Sequence, residues 1–165
     1  MRFQAEHDFD GPADRVAALL TDPDFHRHLE LPDLSRPEIV AARGDGDTAH
    51  LQLRYEFVGQ LDPIASRLLG GRRLTWLQDL DLDRATGAGR LRFAAEADPK
   101  RLRGRADFTL RPAPGDAGRS VRRLDGELVV ALLGVGGMAE RRIVAGLQRR
   151  LDLEAAALDR QLRAG

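Results

Sequence analysis

From Met1 to Phe9 the chain alternates, with Met1, Phe3, Ala5 and Phe9 set against Arg2, Gln4, Glu6 and Asp8. That two-residue period is the signature of a strand with one buried face. Asp10-Gly11-Pro12 then marks a helix start, with Asp10 placed to accept from a free backbone N–H, Pro12 in the first turn, and Val16, Leu19 and Leu20 inward. Thr21-Asp22-Pro23 stops this helix and starts a shorter one, in which Phe25 and Leu29 share a face and which Pro32 closes. From Glu38 onward alternation returns, punctuated by turn residues at roughly ten-residue spacing, the pattern of an antiparallel meander. Six further strands are expected. Their inward sets are centred on Ile39 to Arg43; on Leu51, Leu53, Tyr55 and Phe57; and on Leu74, Trp76, Gln78, Leu80 and Leu82. Leu91, Phe93, Ala95 and Ala97 follow, then Ala106, Phe108 and Leu110, and finally Leu124, Gly126, Leu128, Val130 and Leu132. The turn RATGAGR predicts a hairpin with Leu82 opposite Leu91 and Leu80 opposite Phe93, which also sets Asp81 against Arg92 and Asp83 against Arg90. Beyond Gly137 one long helix is expected, with Val144, Leu147, Leu151, Ala155, Leu158 and Leu162 in a stripe that needs an apolar partner. The inner face of the sheet supplies it.

The junction of last strand and helix, LVVALLGVGGMAERRIV, contains G-x-G-x-x-A, one form of a dinucleotide-binding turn. Such a site needs a second parallel strand returning beside the first, and here the pattern ends in the helix. Gly134, Gly136 and Gly137 are read instead as the sharp reversal between strand and helix.

Length and composition narrow the classes. A chain of 165 residues, with 42% hydrophobic and 32% charged residues, is expected to form one domain over 1–165. Its formal net charge is zero, which offers nucleic acid no long-range attraction, and 26 basic residues include one lysine, Lys100. The arginine bias fits high-GC coding. With no cysteine, disulfide, thiolate and Cys-based zinc chemistry are excluded. MRFQAEHDFD lacks the apolar core of a signal peptide, and the longest apolar run, about a dozen residues, is too short to span a bilayer. The expected location is cytoplasmic, with no stable membrane insertion.

The opening FDGPADRVAALLTDPDFHRHL carries a strand end, a small helix near a proline with Val-x-x-Leu-Leu, and an Asp-Pro turn into a second helix. With six strands and a long terminal helix behind it, the whole chain resembles the helix-grip superfamily of START and birch-pollen-allergen-like proteins (SRPBCC). Within it, the resemblance is greatest to an actinobacterial family of unknown function. It implies an α+β helix-grip fold: a seven-stranded curved antiparallel sheet wrapped around the C-terminal helix, with two short helices between the first two strands. It also implies a cavity between sheet and helix for a hydrophobic or amphipathic small molecule, though large facing side chains could equally fill that space.

Polar residues in the inward phase are the candidate recognition groups: His7, Tyr55 and Gln78, with Trp76 as wall. The plainer alternative is that each bonds to neighbouring backbone or to the others. Leu53, Phe57, Phe93, Phe108, Leu128, Leu147 and Leu151 complete the expected lining. In QLDPIASRLLGG, Ile64, Leu68 and Leu69 form either a lid or a cover for the open end of the core. The leading expectation is a binder or carrier of a lipid, acyl or polyketide-like compound, with no cofactor and no metal. An aromatase- or cyclase-type enzyme with His7 and Tyr55 as acid and base is the main rival. A third reading is an interaction module or homodimer through Val129, Ala131 and Leu133 on the outer face of the last strand. Other motifs are weaker. His26 and His28 are two apart on a helix and point different ways; Asp79-x-Asp81-x-Asp83 lacks the glycine and glutamate of a calcium loop; Ser35, Ser66 and Ser120 lack a nucleophile's context.

Overall fold

The computed structural model describes residues 1–60, 72–131 and 136–164. Strand β1 (Arg2–Phe9) leads into helices α1 (Ala13–Leu20) and α2 (Pro23–His28). Strands β2 (Glu38–Asp45), β3 (Thr48–Glu56), β4 (Thr75–Asp83), β5 (Ala88–Ala95), β6 (Leu102–Ala113) and β7 (Asp116–Val130) follow, and helix α3 (Gly136–Ala164) ends the fold. All seven strands form one antiparallel sheet in the order β1-β7-β6-β5-β4-β3-β2. The first strand therefore lies beside the last, and α1 and α2 carry the chain to the opposite edge. Helix α3 packs against β1, β7 and α1.

Alternation decides which face is buried. In β3, Ala49, Leu51, Leu53 and Tyr55 are buried while the intervening residues are not, and Leu80 and Leu82 of β4 continue the same face. From the other side Val144, Leu151, Ala155, Leu158 and Leu162 of α3 close the core. Three phenylalanines lie flat on the sheet over glycines of the neighbouring strand: Phe3 over Gly126, Phe108 over Gly89 and Phe93 over Gly104. A Cβ on Gly104 would stand 2.3 Å from the Phe93 ring. Flat rings leave α3 room to approach the sheet.

Two local expectations are corrected. Asp10 does not cap α1, whose preceding residue is Pro12 and which has no side-chain cap. Instead the Asp10 backbone N–H donates to Asp159 Oδ1 (2.7 Å), and its carboxylate faces Arg119 and Arg163, so it ties the β1–α1 junction to the end of α3. Cap chemistry does hold at α2, where Asp22 accepts from the Asp24 N–H at 2.9 Å. The β4–β5 hairpin is also displaced by two residues from the expected register: Leu80 faces Leu91, Gln78 faces Phe93, Asp81 faces Arg90 and Asp79 faces Arg92. A slip of two preserves both faces, so apolar and charge patterns fit either register equally. The Asp81–Arg92 pair survives as a diagonal ion pair of 2.7 Å.

The turn selects the register. Gly87, at φ 67°, closes it by donating its N–H to Asp83 O at 2.8 Å, and an added Cβ would stand 2.0 Å from Leu110 O. Gly87→Ala is expected to destabilise the protein by about 2 kcal/mol, combining left-handed backbone strain with a backbone clash. A denaturation midpoint unchanged from wild type would contradict this role for the turn.

Candidate functional site

The inward phase of the sheet brings polar groups to its centre. Leu53 pairs with Gln78 and Tyr55 with Trp76 across β3 and β4, and both Tyr55 and Gln78 are buried. Above them, α3 contributes Arg150. Its Nη1 donates to Gln78 Oε1 (2.5 Å), its Nη2 donates to the Tyr55 hydroxyl (3.1 Å), and its guanidinium lies 4.5 Å from the Tyr55 ring centre. Tyr55 in turn stacks on Trp76 at 5.5 Å.

One helical turn further, Glu154 stands 3.5 Å from Arg150 Nη2 and accepts from Arg122 Nη1 at 2.9 Å. Arg122 comes from the inward phase of β7 and is 1% exposed. Its Nη2 lies 3.3 Å from His7 Nδ1. A guanidinium only donates, so Nδ1 is the accepting nitrogen and the His7 Nε2–H donates to Asp152 Oδ1 at 2.9 Å. A continuous polar seam thus runs from Tyr55 and Gln78 through Arg150, Glu154, Arg122 and His7 to Asp152, whose side chain is 68% exposed. Beside it, His26 donates from Nε2 to Leu20 O (2.8 Å), since a carbonyl can only accept, and in the neutral ring Nδ1 carries the lone pair. That Nδ1, Arg122 Nε and Arg150 Nε are buried with no hydrogen-bond partner among the described residues.

The seam sets its own protonation. Burial, then the Arg122 cation, lower the pKa of His7 against the opposing pull of Asp152. Burial likewise lowers that of His26. Burial raises the Tyr55 phenol, with Arg150 opposing, so it is a neutral hydroxyl near pH 7. Burial also pushes the Glu154 carboxyl up, but Arg122 and then Arg150 outweigh it and hold the pKa below the ordinary value. Two guanidinium cations therefore share one buried carboxylate.

A cavity of about 10 Å³ lies against this seam, room for about one water molecule. Gln78, Phe93, Leu147 and Leu151, all expected as lining, surround it, together with Phe3, Leu91, Ala106, Leu124 and Arg150, which were not. Leu53, Phe108 and Leu128 are core residues away from it. Phe57 lies outside β3, half-buried, bridged to Leu34. Trp76 is half-buried behind Tyr55, and His7 sits toward the Asp152 end of the seam. Ile64, Leu68 and Leu69 fall outside the described residues, as do Leu132, Leu133 and Gly134. Of the outer-face residues, Val129 is half-buried and Ala131 exposed. His26 points inward and His28 outward, so the two cannot share a ligand.

Among the described residues, His7 and Tyr55 are joined only through Arg122, Glu154 and Arg150. With Nδ1 accepting from Arg122 and Nε2–H donating to Asp152, the His7 ring has no free lone pair for proton abstraction.

A model of a family described as "Protein of unknown function (DUF2505)" matches residues 4–162. No curated protein matches the chain. Among solved structures it is similar to TTHA0849 from Thermus thermophilus, at 20% identity and TM-score 0.67, covering 99% of this chain and 98% of that one. It is also similar to norcoclaurine synthase from Thalictrum flavum in complex with dopamine and hydroxybenzaldehyde (17% identity, TM-score 0.63, covering 99% and 87%). A START superfamily protein from Mycobacterium smegmatis matches at 14% identity and TM-score 0.60, covering 99% and 97%. At these identities the likeness is one of fold, and it is the helix-grip fold: a curved seven-stranded antiparallel sheet around a C-terminal helix, with two short helices after the first strand.

Proposed function

Because the chain belongs to the DUF2505 family of proteins of unknown function, we propose its activity from the site: it binds a hydrophobic or amphipathic small molecule between the sheet and α3, as a cytoplasmic carrier. The observation that carries this reading is the convergence of Gln78 and Arg150 on a wall that is otherwise Phe3, Leu91, Phe93, Ala106, Leu124, Leu147 and Leu151. A few converging polar groups in an apolar lining is how small-molecule sites obtain both affinity and orientation. The fold-level likeness to norcoclaurine synthase, whose structure holds two small aromatic molecules, is consistent with this use of the scaffold.

The space is too small for such a ligand as it stands. Leu91, Phe93 and Leu147 are only half-buried where they pack on the core, however, so turning them outward costs less than moving a fully buried side chain. Entry then proceeds by rotamer change at this end of the site, and Leu151 and Leu124 remain as the fixed wall.

The test uses N-phenyl-1-naphthylamine, a neutral probe whose emission rises in apolar surroundings. Saturable enhancement with wild-type protein is expected, weakened about tenfold or more by Ala106→Leu, which fills the cavity at a 3% exposed position. If the probe shows no enhancement, and protein purified from its own host retains no small molecule in native mass spectrometry, the binding reading is wrong and the core is simply filled.

A further inference from the structure

The polar groups around the cavity are unbalanced in a way that specifies a ligand class. Gln78 Oε1 already accepts from Arg150, and its NH2 is a donor. Arg150 Nε–H, on a residue that lines the cavity and is 8% exposed, has no partner among the described residues. The Gln78 NH2 and the Arg150 Nε–H are both donors. Charge points the same way: Arg122 and Arg150 are buried against Glu154, the single buried carboxylate among the described residues, and Asp152, the next acid along, is exposed and engaged by His7. A buried cation in excess is costly unless something neutralises it.

We infer that the ligand is an amphipathic anion, a carboxylate on an apolar tail, its head accepting from Arg150 and Gln78 and its tail lying along Leu91, Phe93 and Leu147. This rests on the binding reading above. An acceptor-only head satisfies both donors, whereas an alcohol brings a donor of its own and an ammonium brings only donors. Charge-assisted contacts to a guanidinium then supply selectivity that the tail cannot, because tails of equal length bury equal area.

Decanoate, decanol and decylammonium share one tail and separate the possibilities. Each is titrated near neutral pH against wild-type protein loaded with the neutral probe. Decanoate is expected to displace the probe at a concentration at least about tenfold below decanol, with decylammonium weakest. Arg150→Met should bring decanoate and decanol to parity while decanol binding persists. Parity in the wild-type protein, or a preference for decanol, overturns the anion inference and leaves the binding reading standing. Failure of the probe itself to bind overturns the binding reading instead. Should Arg150→Met not fold, the wild-type protein with carboxyl-13C decanoate decides. The bound carboxyl resonance is expected to stay at its ionised position as the pH is lowered through the range where free decanoate protonates, and a bound carboxyl that titrates like the free acid overturns the inference.

Discussion

Glu154→Gln is expected to destabilise the protein by about 3–5 kcal/mol, read as a lowered urea midpoint at nearly unchanged slope. Glutamine keeps the shape of the side chain and one acceptor oxygen, so lost packing is not the cause. What disappears is the only buried negative charge among the described residues, lying between Arg122, 2.9 Å from one carboxylate oxygen, and Arg150, 3.5 Å from the other. Both guanidiniums are nearly closed to water, at 1% and 9% side-chain exposure, and without Glu154 they repel each other across a low-dielectric gap. Replacing the whole cluster should behave differently. The triple variant Arg122→Met, Arg150→Met, Glu154→Leu removes charge and desolvation penalty together, so it is expected to retain more stability than Glu154→Gln alone. If the single variant were as stable as wild type, the cluster would be hydrated and the description of it as a closed seam would be wrong. The triple variant also isolates its purpose: a stable protein that no longer prefers carboxylates would mean that the charges serve recognition rather than folding.

Those charges were the least legible part of the molecule. Alternation along β1, β3 and β4 assigned inward faces correctly, so His7, Tyr55 and Gln78 could be picked out as polar residues in an apolar phase. Arg122 obeys the same rule, two residues before Leu124 on the buried phase of β7. It escapes notice because the inward-phase apolar residues of the last strand begin only at Leu124, whereas β7 starts at Asp116. Ser120 and Arg122, both buried, resemble a strand's wet end until a partner is known. Arg150 and Glu154 were hidden differently. They lie four apart on the apolar stripe of α3, between Leu147 and Leu158, but a cation and an anion at that spacing ordinarily mark a solvated helix face. What distinguishes this pair is its set of partners, Gln78 and Tyr55 for Arg150 and Arg122 for Glu154, all distant in sequence. Periodicity reports which way a side chain points, and says nothing about what it meets. The hairpin register failed for a related reason, since a slip of two leaves direction unchanged and only the Gly87 turn distinguishes the alternatives.

Stability is expected to be nearly flat above about pH 7 and to fall as the pH drops through about 6.5, by up to about 1.4 kcal/mol per pH unit for each of His7 and His26. The direction follows from the shifts. Burial lowers both folded-state pKa values beneath the ordinary histidine value, so in the window between folded and unfolded pKa the unfolded chain binds protons that the folded chain refuses. Stability rises with pH across that window, is complete above the unfolded pKa, and is lost as the pH falls through the folded one. Glu154 adds a second loss at lower pH. Its folded pKa is also below the ordinary value, because Arg122 and Arg150 outweigh its burial, so the stability it contributes is present above the unfolded carboxylate pKa and goes as the pH falls through the folded one. Physical contacts agree with the histidine assignment: a proton on His7 Nδ1 would face Arg122, and the neutral His26 already spends its Nε2–H on Leu20 O. Urea unfolding at several pH values between about 5 and 8 tests this, with His7→Gln as control. The variant should lose about half of the slope between pH ~6.5 and the folded pKa of the histidines, because only His26 then remains to be protonated on unfolding. A wild-type profile that is level across the same range would mean that both rings are protonated in the folded protein. The Arg122–His7–Asp152 end of the seam would then have to be rebuilt with His7 as a donor on both nitrogens, a state in which Arg122 has no acceptor there.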